Sequence, residues 1–290
     1  MIYLTEPTLG QLDLSCDPDG YVVSQFQIGF PDERPVVRLR SLADGVLDTT
    51  RFVGQRAISV SISLDQTKMA TQDLLDRLLP YLSPRYRPRL VYTVQDLNEY
   101  CPPYVPDPTH IRSFEVRGAD APVVINGPKF QTIVCQWRAI DHRATSIEQN
   151  CATVNPTSLD EFGRIYDLSF DRDYPFSAPS GVTYVNMAGN DPADWTADIV
   201  GSVTNPELIV NGISIQFTGV TLAAGQVLQI STKDRTMIQG GNLSVYGNSN
   251  FVDWTWDDLL LRPGENTIRY AGTTPSATSY TLFCFYDTWI

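Results

Sequence analysis

The chain has 290 residues, 42% of them apolar and 19% charged, with 14 Tyr, 12 Phe and 5 Trp. That composition excludes a disordered protein and leaves room for about two domains, each with its own core. The net charge of −12 is uneven, with 16 Lys/Arg against 20 Asp/Glu in residues 1–164 and only 5 against 13 in residues 165–290, and so acidic a second half argues against nucleic acid or an anionic membrane as a bound partner.

The first ten residues hold Glu6, Pro7 and Gly10 and no basic region followed by an apolar run, which reads as no signal peptide. No apolar stretch approaches the roughly 20 residues that cross a bilayer. In Ile58-Ser-Val60-Ser-Ile62-Ser-Leu64, branched apolar residues alternate with serine, the pattern of a strand with one wet face. Leu74, Leu75, Leu78 and Leu82 then recur at helical spacing, capped by Asp65 or Thr67 and disrupted by Pro80 and Pro84. Leu90, Tyr92 and Val94 resume an alternating strand, and Ile133, Cys135 and Trp137 form another. Between them, Asp96 to Asp107 contains Cys101-Pro-Pro-Tyr-Val-Pro-Asp-Pro, whose prolines forbid regular pairing. Its Tyr100 and Tyr104 make it a candidate partner-contact arm, with an ordinary surface loop as the competing reading.

The second half reads as short strands punctuated by turns. Glu207 to Val210 and Ile213 to Phe217 flank Asn211-Gly212, a two-residue hairpin signal because both turn residues tolerate positive φ. Further runs are Val227 to Ile230, Leu243 to Tyr246, Thr267 to Tyr270 and Tyr280 to Tyr286, a spacing that points to a β-sandwich or jelly roll. Pro175, Ala178, Pro179 and Gly181 mark the expected linker, dividing the chain into 1–174 and 175–290.

Reaction chemistry is hard to place on these residues. The two histidines, His110 and His142, lack metal-ligand spacing, and no nucleophile elbow or phosphate loop is present. The cysteines Cys16, Cys101, Cys135, Cys151 and Cys284 never fall in a CxxC spacing and read as free thiols in a reducing cytoplasm. Asp171/Asp173 and Asp257/Asp258 are the candidate carboxylate pairs for glycoside hydrolysis, and a solvated face or a turn explains them as well. Trp254 and Trp256, two apart on one strand face, are a candidate sugar-stacking platform; burial in the sandwich core is the favoured reading. The expectation is a protein that is not an enzyme, with no catalytic residues, cofactor or metal.

Several short patterns, in order, resemble the distal tail proteins of siphophages. In the first half they are Asp44-Gly45 with Asp48, Gly54-Gln55-Arg56, Leu74-Leu75-Asp76, Pro84-Arg-Tyr-Arg-Pro-Arg-Leu90 and Gln136-Trp-Arg-Ala-Ile-Asp141. In the second they are Asn205-Pro-Glu207, Asn211-Gly212, Gly225 before Leu228-Gln-Ile230, Leu261-Arg-Pro-Gly-Glu-Asn-Thr-Ile268 and Asp287-Thr-Trp-Ile290. The Pro-rich arm and Ser146 to Thr157 match no feature of that family.

The resemblance implies a mainly β protein with one main helix, a split-barrel-like belt domain over 1–174 and a galectin-like β-sandwich over 175–290. It implies a structural virion protein in the phage tail, assembled in the host cytoplasm. The belt domains would form a ring with copies of themselves, a hexamer by resemblance, joining the tail tube to the tip or baseplate hub protein and letting DNA pass. Receptor-binding proteins are further partners; sequence-specific nucleic acid and membrane insertion are not expected. Arg85, Arg87 and Arg89, at alternate positions, are the candidate ring-interface residues. The alternative function is a carbohydrate-binding host-recognition module carried by Trp254 and Trp256.

Overall fold

The computed structural model describes residues 2–14, 21–31, 33–39, 46–65, 70–93, 110–127, 130–157, 182–276 and 278–290. The chain divides into two compact units, Met1–Ile147 with Ile290, and Glu148–Trp289. The expected linker at 174–181 lies outside the described residues. The strand Asn150–Val154, ahead of that point, pairs with Thr281–Phe285 and so belongs to the second unit.

The first unit contains β1 (Ile2–Glu6), β2 (Gly10–Asp13), β3 (Tyr21–Ile28), β4 (Glu33–Leu39), β5 (Val46–Val53), β6 (Ala57–Asp65), α1 (Thr71–Leu82), β7 (Arg89–Thr93), β8 (Ile111–Gly118), β9 (Val123–Asn126), β10 (Phe130–Ala139) and β11 (Ala144–Thr145). The main sheet runs β2-β1-β7-β8-β10-β6-β3, and β4 and β5 pair only with each other among the described residues. The serine-interleaved run is β6, with Ile58, Val60, Ile62 and Leu64 fully buried. Its partner β10 buries Ile133, Cys135 and Trp137 on the same face. β7 departs from the expected alternation: Leu90, Val91, Tyr92 and Thr93 are all buried, so the strand is covered on both faces.

One edge of β10 is divided between two neighbours. Gln131 to Val134 pair with β9, whereas Trp137 to Ala139 pair with β8, so the sheet forks there. The helix α1 packs against β8 and β10, burying Leu74, Leu78, Tyr81 and Leu82. Neither expected cap holds: Asp65 ends β6, Thr67 lies outside the described residues, and Ala70 at the N-cap makes no side-chain bond. Pro80 sits inside the last turn, near enough to the end that the helix continues only to Leu82.

The second unit contains β12 (Asn150–Val154), β13 (Pro156–Thr157), β14 (Val182–Met187), β15 (Trp195–Val200), β16 (Val203–Val210), β17 (Ile213–Gln216), β18 (Thr221–Leu222), β19 (Val227–Ser231), β20 (Thr236–Gln239), β21 (Leu243–Ser244), β22 (Gly264–Thr273), β23 (Tyr280–Phe285) and β24 (Thr288–Trp289). One sheet runs β12-β23-β15-β19-β20-β21; the other runs β13-β22-β16-β17, with β14 on β22 and β18 on β16. Trp195, Ile199, Leu228, Phe283 and Phe285 of the first meet Leu208, Val210, Ile215, Ile268 and Tyr270 of the second in one core, which makes a β-sandwich. The Asn211-Gly212 hairpin forms as expected, with φ of 50° and 84° and Val210 opposite Ile213. The run expected at Leu243 to Tyr246 is shorter, because the chain leaves β21 after Ser244 and turns into a 3-10 helix at Tyr246–Asn248.

Candidate functional site

The surface least explained by folding alone is the β9-β10-β6-β3 layer of the first unit. Each neighbour is antiparallel to the next, so β9 and β6 run one way and β10 and β3 the other. Among the described residues β9 pairs only with β10, and β3 only with β6. Among those residues, both outer edges therefore offer backbone N–H and C=O groups that no strand pairs. On β9, Val123, Val124 and Ile125 are 58%, 37% and 55% exposed. Successive strand residues point to opposite faces, so neither face of β9 is covered. On the far edge, Val22 of β3 and Phe30 just beyond it are also exposed.

The register gives this layer a face whose three middle rows are free of charge, between Asp65 at one end and the exposed Arg138 at the other. Ile125, Thr132, Ser63 and Val22 lie in one row, Val123, Val134, Ser61 and Gln25 in the next, and Gln136, Ser59 and Gln27 in a third. An extra residue, Ser24, bulges between Val23 and Gln25 and hydrogen-bonds the Ser61 carbonyl, keeping Phe26 and Ile28 in phase with Val60 and Ile58 on the core face.

The arginines 85, 87 and 89 do not form one extended row. Arg85 lies in the turn after α1, where its N–H reaches the Ser83 hydroxyl and Tyr86 N–H bonds the Ser83 carbonyl. Arg87 is exposed, 3.9 Å from Glu115, and Arg89 is half-buried in β7, donating to the Ile147 carbonyl at 3.4 Å. Tyr100, Tyr104, Asp171 and Asp173 lie outside the described residues.

The Trp254 and Trp256 indoles are 5% and 7% exposed and belong to the sandwich core. They meet edge-on, 5.7 Å apart at 81°, and Tyr246 stacks on Trp256. Trp254 also donates its Nε1–H to Asn250 Oδ1 at 3.1 Å, so its polar edge is used internally. Beside them a half-open cleft of about 430 Å³ is lined by Arg235, Met237, Asn242, Ser244, Tyr246 and Trp256.

The Asp257/Asp258 pair is split between separate tasks. Asp257 is exposed beside Arg235 at 3.4 Å, while Asp258 accepts from the Thr255 hydroxyl and N–H, which hold its carboxyl below the usual range. His142 sits 3.2 Å from Asp141, and among the described residues no three His, Cys, Asp or Glu gather to hold a metal. No described helix is long and apolar enough to cross a membrane.

The cysteines correct the sequence expectation. Cys151 and Cys284 face each other in the β12–β23 ladder, with Cα atoms 4.1 Å apart, and are disulfide-bonded rather than free. A separation of 133 residues hides that pairing from any local spacing rule. Cys135 is a free, buried thiol, pushed up to about 12 by desolvation and so inert.

Over its whole length the chain is similar to the Dit protein of phage SPP1, described as a paradigm of the hub adsorption apparatus in phages that infect Gram-positive bacteria. The match covers 100% of both chains at a TM-score of 0.61 and 12% identity. The fold is that of a siphophage distal tail protein. Two structures of the phage P2 baseplate in its activated conformation, with Ca and with Sr, also match at 10% identity, covering 98% of this chain and 97% of theirs with TM-scores of 0.41 and 0.43. No protein-family model and no curated protein sequence matches. Within this distal-tail fold, sequence reading also missed β9, whose Val-Val-Ile run is too short for a periodicity signal and is bounded by Pro122 and Gly127.

Proposed function

We propose that this chain is a structural protein of a phage tail that forms a ring at the tail's distal end, joins the tube to the tip or hub proteins, and lets DNA pass. The observation that carries the reading is the pair of open edges on the β9-β10-β6-β3 layer. A second copy placed with its β3 beside β9 meets it antiparallel, continues the sheet, and leaves its own β9 free for the next copy. Such a head-to-tail contact closes into a ring when its rotation divides a full turn. The Ser, Thr, Gln and Val rows in the middle of that face, between Asp65 and Arg138, suit a wall along which DNA slides, since they offer phosphates little to grip. The Dit fold over the full length supports the same role, with a hexamer, a virion location and assembly in the host cytoplasm following by resemblance.

A sugar-binding role for the second unit gains no support from Trp254 and Trp256, whose rings fill the core. Mass measurement and negative-stain imaging of the purified full chain test the proposal. Closed rings of one size are expected, and a protein that stays monomeric at high concentration overturns it.

A further inference from the structure

The strand that opens the second unit is held with little burial. Of β12's five residues only Val154 is fully buried, while Asn150, Cys151 and Thr153 are exposed and Ala152 packs at the core's margin. Among the described residues β12 is also the sheet's edge, with β23 as its ladder partner. Edge elements with few apolar contacts are the first to open locally. At this place Cys151 stands directly across from Cys284. Cys284 is 8% exposed and Cys151 lies open to solvent, so a small thiol or disulfide reaches the pair from the Cys151 side.

We propose that Cys151 and Cys284 form a redox latch on β12, open as two thiols while the chain is made in a reducing cytoplasm and closed once the particle meets an oxidising medium. The timing rests on the phage-tail reading above; the latch itself rests on the register and exposure of the two residues. The oxidant is a small-molecule disulfide of the glutathione class. The Cys151 thiolate attacks one of its sulfurs and expels one small thiolate; the Cys284 thiolate then attacks the Cys151 sulfur of that mixed disulfide and expels the second. The protons of both cysteines end on the two released thiols. Closure fixes the entry strand of the sandwich to its last long strand at a point where only Val154 of the strand is fully buried. Cys135 does not compete, being fully buried in the first unit.

The test uses the full chain. Cells producing it are quenched in acid, thiols are blocked with N-ethylmaleimide, and the mass is compared with that of purified protein treated with oxidised glutathione before blocking. Two more blocked thiols are expected in the quenched cells. Amide hydrogen exchange over residues 148–157 should slow at least about tenfold on oxidation, and show no such change in Cys151→Ser, an exposed position whose replacement leaves the core intact. A bond already closed in the quenched cells, or equal exchange in the two states, overturns the proposal. Both readouts are made on the single chain, so a failure of ring formation and a failure of the latch are told apart.

Discussion

Asn266 is 1% exposed, yet it spends every hydrogen-bonding group it has. Its Nδ2 donates to the carbonyls of Arg262 and Gly264, and its Oδ1 accepts from Arg262 N–H and from Asn211 Nδ2. Asn211 in turn accepts from Thr267 N–H. One buried amide thus fixes both the Pro263-Gly264 turn and the Asn211-Gly212 hairpin. Asn266→Ala strands several buried partners at once, and a loss of about 3 kcal/mol in urea unfolding is expected. The turn motif was legible in the sequence; that its asparagine serves a hairpin more than fifty residues away was not, because only the fold brings them together.

Asp141 makes a pH prediction at the same scale. Burial works to raise its carboxyl, but the hydrogen bonds and charge of Arg143, with His142 adding to them, hold it below the ordinary value. A carboxyl depressed in the folded state stabilises above its unfolded pKa, about 3.9, and loses that contribution as pH falls through the lower folded value. The melting-temperature advantage of wild type over Asp141→Asn is therefore expected at pH 7 and should shrink below about pH 3.9. A gap that widens in acid would contradict this.

At the scale of elements, the fork in the first sheet depends on one glycine. Gly118 pairs with Trp137 where β10 passes from β9 to β8, and a Cβ there would sit 1.9 Å from the Leu82 carbonyl oxygen at the end of α1. Trp137, fully buried, donates its Nε1–H to the neighbouring Tyr81 carbonyl at 3.3 Å, tying the same helix end to the sheet. Backbone at such a distance cannot yield as a flexible side chain would. Gly118→Ala should therefore cost more than about 2 kcal/mol, read by thermal unfolding, whereas Gly225→Ala meets no neighbour and is strained only by its φ of 80°.

Which elements could be read beforehand follows from how they are buried. β6 was legible because one face is wet and serine marks it. β7 was legible as a strand but not in its alternation, since both its faces are covered. β12 was missed because Asn-Cys-Ala-Thr-Val carries no periodicity, its place being set by the ladder with β23. The Trp254-Trp256 pair has the spacing of a binding platform and of a core alike, and only the fold shows both rings buried.

For the whole molecule, assembly has two candidate surfaces on the first unit, and they separate experimentally. The β9 and β3 edges need no charge, only backbone groups and exposed valine and isoleucine. The arginine surface reduces to Arg85 and Arg87, because Arg89 is already engaged with the Ile147 carbonyl. Arg87 is only loosely held by Glu115 at 3.9 Å, an exposed pairing of the kind that contributes under about 1 kcal/mol, so its guanidinium is available to a neighbour's carboxylate. Lysines at Val123 and Ile125 would set charges, costly to bury, on the edge that a second copy's β3 must approach. Because both positions are exposed, the monomer should keep its stability within about 1 kcal/mol. The double change Val123→Lys/Ile125→Lys is therefore expected to leave folded monomers in place of the proposed rings, as solution mass would read. Arg85→Glu/Arg87→Glu should weaken the ring in a salt-dependent way, because screening acts on exposed ion pairs and hardly on a continued backbone ladder. If rings survive the lysines and fail with the glutamates, subunits meet at the turn after α1, and the open edges of β9 and β3 belong to another partner in the tail.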